Sequence, residues 1–261
     1  MMTKNSRSLL TILCAPLLAL ASGTAHADWA LNMTRGVTEI SRRIYDLHMI
    51  MLWICVVIGI AVFGVMIYSV MHFRKSKGAV PDTKFLHSTK MEIIWTTIPV
   101  LILIGSAVPA AKTLIETENA TNTELTIRVT AYQWKWGYEY VDSGVTVLST
   151  LDKASNEARQ LESGIDPNSV PDYLLSVDHP LVVPAGTKVR LLLSAQDVIH
   201  AWWVPALAVK KDAIPGFINE AWFKVDDDKT GVYRGQCAEL CGRDHGFMPI
   251  VVDVRSEAEF A

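Results

Sequence analysis

The residues with the most evident chemistry lie near the end of the chain, in residues 237–248, which read CAELCGRDHGFM. This segment places two cysteines, a histidine and a methionine within twelve residues. Thiolate and thioether sulfurs select copper or a related soft ion, and imidazole is a good additional ligand. The segment therefore predicts a soft-metal site.

Three other uses of these side chains compete with copper. A disulfide between Cys237 and Cys241 would close over only three intervening residues, and such a short closure is usually strained. Zinc binds sulfur and nitrogen but has little use for a thioether, so Met248 favours copper. Covalent haem attachment needs C-x-x-C-H, whereas here three residues separate the cysteines and Gly242 follows them.

The pattern C-x-E-x-C-G-x-x-H-x-x-M resembles the binuclear copper site of cytochrome c oxidase subunit II. The resemblance implies that Cys237 and Cys241 bridge two copper ions. It further implies that His245, Met248 and the backbone carbonyl of Glu239 complete the ligand set. Two metals that share one electron through bridging thiolates change their bonds little on reduction, which favours fast electron transfer.

The same family takes a second histidine ligand from an upstream loop. Residues 197–202, which read DVIHAW, resemble that loop and imply His200 as the ligand. In the family the side chain of Glu239 also ligates a magnesium ion at the interface with the catalytic subunit. Magnesium is therefore a second expected metal.

The first residues of the chain read as a cleaved secretory signal peptide, residues 1–27. Lys4 and Arg7 precede an apolar run at 9–21, and Ala-His-Ala at 25–27 fits cleavage after Ala27. The run is too short to span a bilayer comfortably. Cleavage there would leave Asp28 as the mature N-terminus, on the exported side.

Two longer apolar segments, at about 49–71 and 93–111, predict transmembrane helices, although buried helices of a soluble protein would share their composition. The loop between them carries five Lys and Arg residues against one acid, Asp82, before Glu92. An excess of positive charge favours the cytoplasmic side. The segments therefore predict a hairpin whose outer ends both lie on the exported side, within a region that runs from residue 28 to 112.

Glu92 stands at the cytoplasmic start of the second segment, where a solvated boundary carboxylate is the simpler interpretation. Residues 87–96, HSTKMEIIWT, nevertheless resemble a family stretch whose glutamate lies at the entrance of a proton path into the catalytic subunit. An ionisable group at a membrane boundary is a suitable proton acceptor. The resemblance thus implies this role for Glu92.

From Glu124 onward, residues of alternating polarity predict strands of a soluble β domain at 113–261. Residues 142–177 interrupt this rhythm and predict a long polar insertion. We expect an α+β membrane protein in which a helical hairpin precedes a cupredoxin-like Greek-key β-sandwich, since the family's copper domain has that fold. The further predicted strands lie at 181–183, 189–193, 221–225, 231–234 and 249–254.

Charge is unevenly distributed along the chain. After Ala111 there are 22 Asp and Glu against 14 Lys and Arg, a net charge of −8, although the whole chain carries −3. Such a domain is either simply soluble or steers a basic partner. The resemblance favours steering, because Glu139 and Asp197 match acids of the family's docking face for cytochrome c.

Residues 132–140, YQWKWGYEY, resemble the aromatic segment in which the family's first tryptophan receives electrons. That residue is Trp134 here, although an aromatic run on a strand is more often part of a core. The next position is Lys135, where many relatives have tyrosine, and a cation there weakens the attraction for a basic cytochrome.

The resemblance implies a subunit of a haem-copper cytochrome c oxidase. It would accept electrons from cytochrome c at the binuclear copper centre and pass them to the catalytic subunit, where oxygen reduction and proton pumping take place. Expected partners are that subunit with its haems and third copper, other oxidase subunits, cytochrome c and membrane lipid, and no nucleic acid. The expected location is a bacterial plasma membrane, with both termini and the copper domain in the periplasm.

Other classes of protein remain open at this point. The copper domains of nitrous oxide reductase and of a copper-containing nitric oxide reductase share the motif, although the former lacks the helical hairpin. A quinol oxidase subunit would have the hairpin and sandwich without the ligands. A membrane-tethered copper carrier would hold one copper rather than two.

Overall fold

The computed structural model describes residues 32–80, 82–83 and 87–261. The predicted signal peptide, 1–27, lies outside the described residues. Within the described ranges, two long helices precede a domain of ten strands and two short helices. The chain thus has the order of elements that the sequence predicts.

The long helices are α1 (Glu39–His72) and α2 (Thr89–Thr117). Both are long and apolar enough to cross a membrane, with mean hydropathy values of 2.9 and 2.0, and their apolar windows are not buried within the chain. The 34 residues of α1 span about 51 Å, more than the roughly 30 Å hydrocarbon core of a bilayer. Each helix therefore exceeds its predicted apolar segment, because residues 39–48 extend α1 at its start and residues 89–92 and 112–117 extend α2 at both ends.

The outer turns of both helices are joined to each other and to the strand domain. Arg42 in the first turns of α1 forms a two-pronged ion pair with Asp226, at 2.6 and 3.2 Å. Arg43 forms an ion pair with Glu116 in the last turn of α2. These pairs hold the ends of the hairpin that adjoin the sandwich.

The remaining elements follow in chain order as β1 (Leu125–Tyr132), β2 (Lys135–Tyr140), β3 (Thr146–Ser149), α3 (Lys153–Ala158), β4 (Leu181–Pro184), β5 (Lys188–Ala195), β6 (His200–Val204), β7 (Val209–Ala213), β8 (Asn219–Lys224), β9 (Gly231–Cys237), β10 (Pro249–Arg255) and α4 (Glu257–Phe260). One sheet has the strand order β3-β2-β1-β5-β8 and the other β4-β10-β9-β6-β7. The β1–β5 and β4–β10 pairs are parallel. The two sheets form the predicted cupredoxin-like β-sandwich.

Alternation of side chains explains how the sheets bury a core. On β1, Ile127, Val129 and Ala131 are fully buried while Arg128 is exposed, as the period of two in the sequence predicts. β5 alternates in the same way along its whole length. The five later runs predicted as strands fall on β4, β5, β8, β9 and β10.

The predicted insertion at 142–177 differs from the structure at its start. Residues 146–149 form β3, which pairs with β2 at the edge of the first sheet. The sequence does not signal this strand, because Leu148 is exposed and Ser149 is buried, against the usual alternation. A bridge between Leu151 and Val177 then closes the base of the excursion that contains α3.

Candidate metal centre

Antiparallel pairing of β6 with β9 brings the predicted ligands to one end of the sandwich. His200 is the first residue of β6 and Cys237 the last residue of β9. The Ala238 backbone N–H donates to the Ala201 carbonyl at 2.9 Å, which extends the pairing to this end. Cys241, His245 and Met248 follow in the loop to β10, which we call the copper loop, residues 238–248.

The predicted donor atoms lie close together. The Cys237 sulfur is 3.9 Å from His200 Nδ1 and 3.4 Å from the carbonyl oxygen of Glu239. The Cys241 sulfur is 3.5 Å from His245 Nδ1 and 3.5 Å from the Met248 sulfur. The two cysteine sulfurs are 3.9 Å apart. The structure therefore gathers all six predicted donors.

These distances suit sulfur and nitrogen donors around metal ions. Two sulfurs bound at about 2.3 Å to one tetrahedral ion are about 3.8 Å apart, close to the observed spacing. A disulfide would need roughly 2.05 Å, so Cys237 and Cys241 are free thiols in position to bind. A thioether beside two thiols is a soft set that fits copper.

Most of this donor set is shielded from water. His200 and Met248 are 0% and 1% exposed, and both cysteines are also buried. Burial alone would raise the pKa of Cys237, but hydrogen bonds from His200 and the backbone outweigh it, so the pKa lies below its usual value. Burial and the neighbouring Cys237 thiolate raise the pKa of Cys241 to about 12. One thiol therefore ionises more readily than the other before a metal binds.

The loop between β1 and β2 and the start of β2 hold the copper loop in place by donating hydrogen bonds to its backbone carbonyl groups. Gln133 Nε2 and Trp134 Nε1 both donate to the carbonyl oxygen of Cys241, at 2.9 and 3.1 Å. Trp136 Nε1 donates to the carbonyl of Met248 at 3.2 Å. Sequence reasoning singled out Trp134 and missed Gln133 and Trp136, although both lie in the aromatic segment.

Asp197 orients His200 from the outer side. Its carboxylate lies 2.9 Å from His200 Nε2 and accepts hydrogen bonds from the backbone N–H groups of Gln133 and Val198, both at 2.7 Å. Burial alone would raise the pKa of Asp197, but these hydrogen bonds outweigh it and lower the pKa. Contacts of this kind fix the ring orientation of a metal-binding histidine.

The other predicted site residues lie apart from the six donors. Glu139 forms an ion pair with Arg128 at 2.6 Å. Glu92 is in the first turn of α2, where its carboxylate is 3.9 Å from His87 Nδ1. The side chain of Glu239 is exposed, and among the described residues the group close enough to hold a metal is His200, Cys237 and Cys241.

Known proteins match both parts of the chain. Residues 125–255 match the family model for the periplasmic domain of cytochrome c oxidase subunit II, and residues 26–113 match the model for its transmembrane domain. The second match covers α1 and most of α2, and the first covers the sandwich. The protein is therefore a membrane protein with a periplasmic domain.

Similar proteins carry the same family name. The chain is 38% identical over 234 residues to a probable cytochrome c oxidase subunit 2 of Rickettsia bellii, which covers 89% of this chain and 82% of the relative. It is 35% identical over 235 residues to cytochrome c oxidase subunit 2 of Cereibacter sphaeroides, with coverage of 86% and 76%. The crystal structure of the periplasmic domain of subunit II of cytochrome oxidase from Bradyrhizobium japonicum is 41% identical, covers 54% of this chain and 91% of that chain, and has a TM-score of 0.45.

The two family models together extend over nearly all of the described chain, and the relatives cover most of it and of themselves. The gathered histidine and cysteine donors suit the copper that such a domain binds. The chain belongs to the cytochrome c oxidase subunit II family, whose members are the subunits through which electrons enter haem-copper terminal oxidases.

Proposed function

We propose that this chain holds two copper ions at the six gathered donors: the side chains of His200, Cys237, Cys241, His245 and Met248, and the backbone carbonyl of Glu239. The observation that carries the proposal is the spacing of 3.4 to 3.9 Å between neighbouring donors. Six donors exceed the four that one tetrahedral ion takes, so the set would have donors for a second ion. Bound copper supplies one-electron transfer.

The protein itself fixes the positions and orientations of the donors. The carbonyls of Cys241 and Met248 are fixed by indole and amide donors, and His200 is fixed by Asp197. Buried donors that are already oriented need little rearrangement when the charge at the site changes. This rigidity favours fast electron transfer.

Electrons enter this site through Trp134. Its ring is partly exposed, and its Nε1 contacts the carbonyl oxygen of a proposed ligand, Cys241, at 3.1 Å. The side chain therefore joins the surface to the metal centre by one hydrogen bond. The donor is cytochrome c, and the acceptor is the haem-bearing catalytic subunit that family membership implies as partner.

Two further roles follow from the family resemblance and from position. The exposed carboxylate of Glu239 is free to share a magnesium ion with the catalytic subunit. Glu92, at the far end of α2 from the sandwich, passes protons toward that subunit from the cytoplasm. Lipid surrounds the hairpin, and both termini lie in the periplasm.

The copper content of a cysteine variant tests the metal assignment. We expect the parent oxidase to hold two coppers in this subunit, with an electron-resonance signal of one electron shared between them. Cys241→Ser removes one of the two thiolate donors and should leave at most one copper. Cys55→Ser, on the exposed surface of α1, is the matched control and should behave as the parent does. Two coppers and an unchanged signal in Cys241→Ser would refute the assignment.

A further inference from the structure

A cavity of about 730 Å³ lies where the hairpin meets the sandwich. Its wall is formed by the first turns of α1, the end of α2, the strands β5 and β8, and the loop at 226–228. Small-molecule sites in proteins usually have volumes of roughly 300–1,000 Å³. The cavity is therefore large enough for a small polar group such as a lipid headgroup.

The cavity lies at the level of the lipid headgroups. Arg43, in its wall, precedes Met49 at the start of the apolar segment of α1 by six residues, about 9 Å along a helix. Glu116, also in its wall, follows Ala111 at the end of the apolar segment of α2 by five residues, about 8 Å. The headgroup layer extends roughly 5–8 Å beyond each side of the hydrocarbon core. The cavity thus adjoins the periplasmic surface of the membrane.

Most charged side chains of the wall are already committed within the chain. The ion pairs are Arg42 with Asp226, Arg43 with Glu39 and Glu116, and Asp228 with Lys229. The Lys188 ammonium donates to two backbone carbonyls, at 2.9 and 2.7 Å. The two charged side chains of the wall that take no part in these contacts are Lys224 and Asp227, both exposed. They leave one positive and one negative charge for a ligand.

Trp222 adds a hydrogen-bond donor to the wall. It lies two residues before Lys224 on β8, so both side chains are on the outer face of the sheet, while Phe223 between them is buried. Lys188 Nζ lies 4.1 Å from the centre of the Trp222 ring and fixes the indole. The Trp222 Nε1 is buried and has no hydrogen-bond partner among the residues that the structure describes. Such a donor costs free energy unless an acceptor from outside the chain satisfies it.

We propose that this cavity binds the headgroup of a phospholipid with a primary ammonium, whose phosphate contacts Lys224 and the Trp222 N–H and whose ammonium contacts Asp227. Five carboxylates line the cavity against four Lys and Arg side chains, so a headgroup with net negative charge is disfavoured. An ammonium N–H donates to a carboxylate in a strong, charge-assisted hydrogen bond. The proposal does not depend on the copper ions or on the route of electron entry.

Photoreactive lipids test the proposal on the intact oxidase in bilayer nanodiscs. The two probes have identical acyl chains with a diazirine near the glycerol, and one is a phosphatidylethanolamine while the other is the anionic phosphatidylglycerol. After illumination, mass spectrometry measures the label on residues 39–43 and 222–228. We expect about three- to tenfold more label from the ethanolamine probe, because that headgroup satisfies both uncommitted charges.

Two variants assign the contacts of the headgroup. Asp227→Asn keeps the size of the side chain but removes its charge, so the preference for the ethanolamine probe should fall below about twofold. Lys224→Gln removes the cation proposed to hold the phosphate, which both probes share. The label from both probes should therefore fall by about threefold in this variant.

The matched control is the double variant Lys153→Gln, Glu162→Gln, which removes one exposed charge of each sign from the insertion, outside the cavity wall. Its labelling should equal that of the parent. Equal labelling of the parent by the two probes, or parental labelling in both Asp227→Asn and Lys224→Gln, would overturn the proposal. A cavity that neither probe labels would also overturn it and would indicate that another oxidase subunit covers this surface.

Discussion

At the scale of single residues, Trp136 lies between two proposed ligands. Its side chain is fully buried, and its Nε1 donates to the Met248 carbonyl at 3.2 Å. The Trp136 and His200 rings meet in a T-shaped contact, with centroids 6.1 Å apart and an angle of 64° between the ring planes. One side chain therefore fixes both the thioether residue and the upstream histidine, so we regard Trp136 as a positioning residue.

Replacing Trp136 with Phe tests this role. The variant keeps an aromatic ring but removes the N–H, which leaves the buried carbonyl of Met248 without its donor. We expect the free energy of unfolding to fall by about 1–3 kcal/mol. We also expect two coppers to remain, with a shifted electron-resonance spectrum and a shifted redox potential, because Met248 and His200 can move.

Trp202→Phe is the matched control for this prediction. Trp202 is also fully buried, but its Nε1 faces the Tyr138 hydroxyl at 3.4 Å and its ring stacks on Phe223. The Trp202→Phe variant should lose a comparable free energy of unfolding, and its electron-resonance spectrum should match that of the parent. If the two variants gave the same spectrum as the parent, Trp136 would be a core residue only.

At the scale of elements, the insertion supports the copper loop from outside. Arg159 follows α3 directly, and its guanidinium carbon lies 4.4 Å from the centre of the Phe247 ring. The same side chain is 3.6 Å from the Asp244 carboxylate and is mostly covered. Since these two residues flank His245, the insertion restricts the half of the loop that supplies two proposed ligands.

Copper release measures this support. Arg159→Gln removes both the cation over the ring and the ion pair, interactions worth about 1 kcal/mol together at a surface. We expect a chelator to strip copper about fivefold faster, with the sandwich still folded. Arg159→Lys keeps the charge but lacks the flat guanidinium that stacks on the ring. Its rate of copper release should lie between those of the parent and of Arg159→Gln.

Arg255→Gln is the control, because Arg255 pairs with Asp253 at 2.7 Å and ends β10 away from the copper loop. Its copper release should match that of the parent. If Arg159→Gln released copper at the parental rate, the insertion would cover the copper loop without restricting it.

The ligands and their supports were not equally predictable from sequence. Four donor side chains fall within twelve residues, at the end of β9 and in the copper loop, so their spacing alone predicts a soft-metal site. The buried face of β1 is likewise predicted by the alternation of its residues. The contact of Arg159 with Phe247 depends on how the insertion folds back across the sandwich, which no local pattern records. The ion pair of Glu139 with Arg128 likewise appears only once β1 and β2 are paired.

At the scale of the whole molecule, α2 separates the metal centre from Glu92. The last turn of α2 carries Glu116, which pairs with Arg43 beside the sandwich, while Glu92 lies in the first turn. The 29 residues of the helix span about 43 Å. The proposed sites of electron uptake and proton uptake therefore lie at opposite ends of the hairpin, and variants should affect the two processes independently.

Glu92→Gln separates the two processes, because it removes an ionisable group at nearly constant volume. If Glu92 feeds a proton path, steady-state turnover should fall severalfold, since protons reach the catalytic subunit more slowly, while stopped-flow reduction of the copper centre keeps its parental rate. Lys90→Gln, which removes an exposed charge from the same turn of α2, should leave turnover unchanged. Parental turnover in Glu92→Gln would show that Glu92 is only a solvated carboxylate at the membrane boundary. Slower reduction of the copper centre in this variant would show that the two ends of the hairpin are coupled.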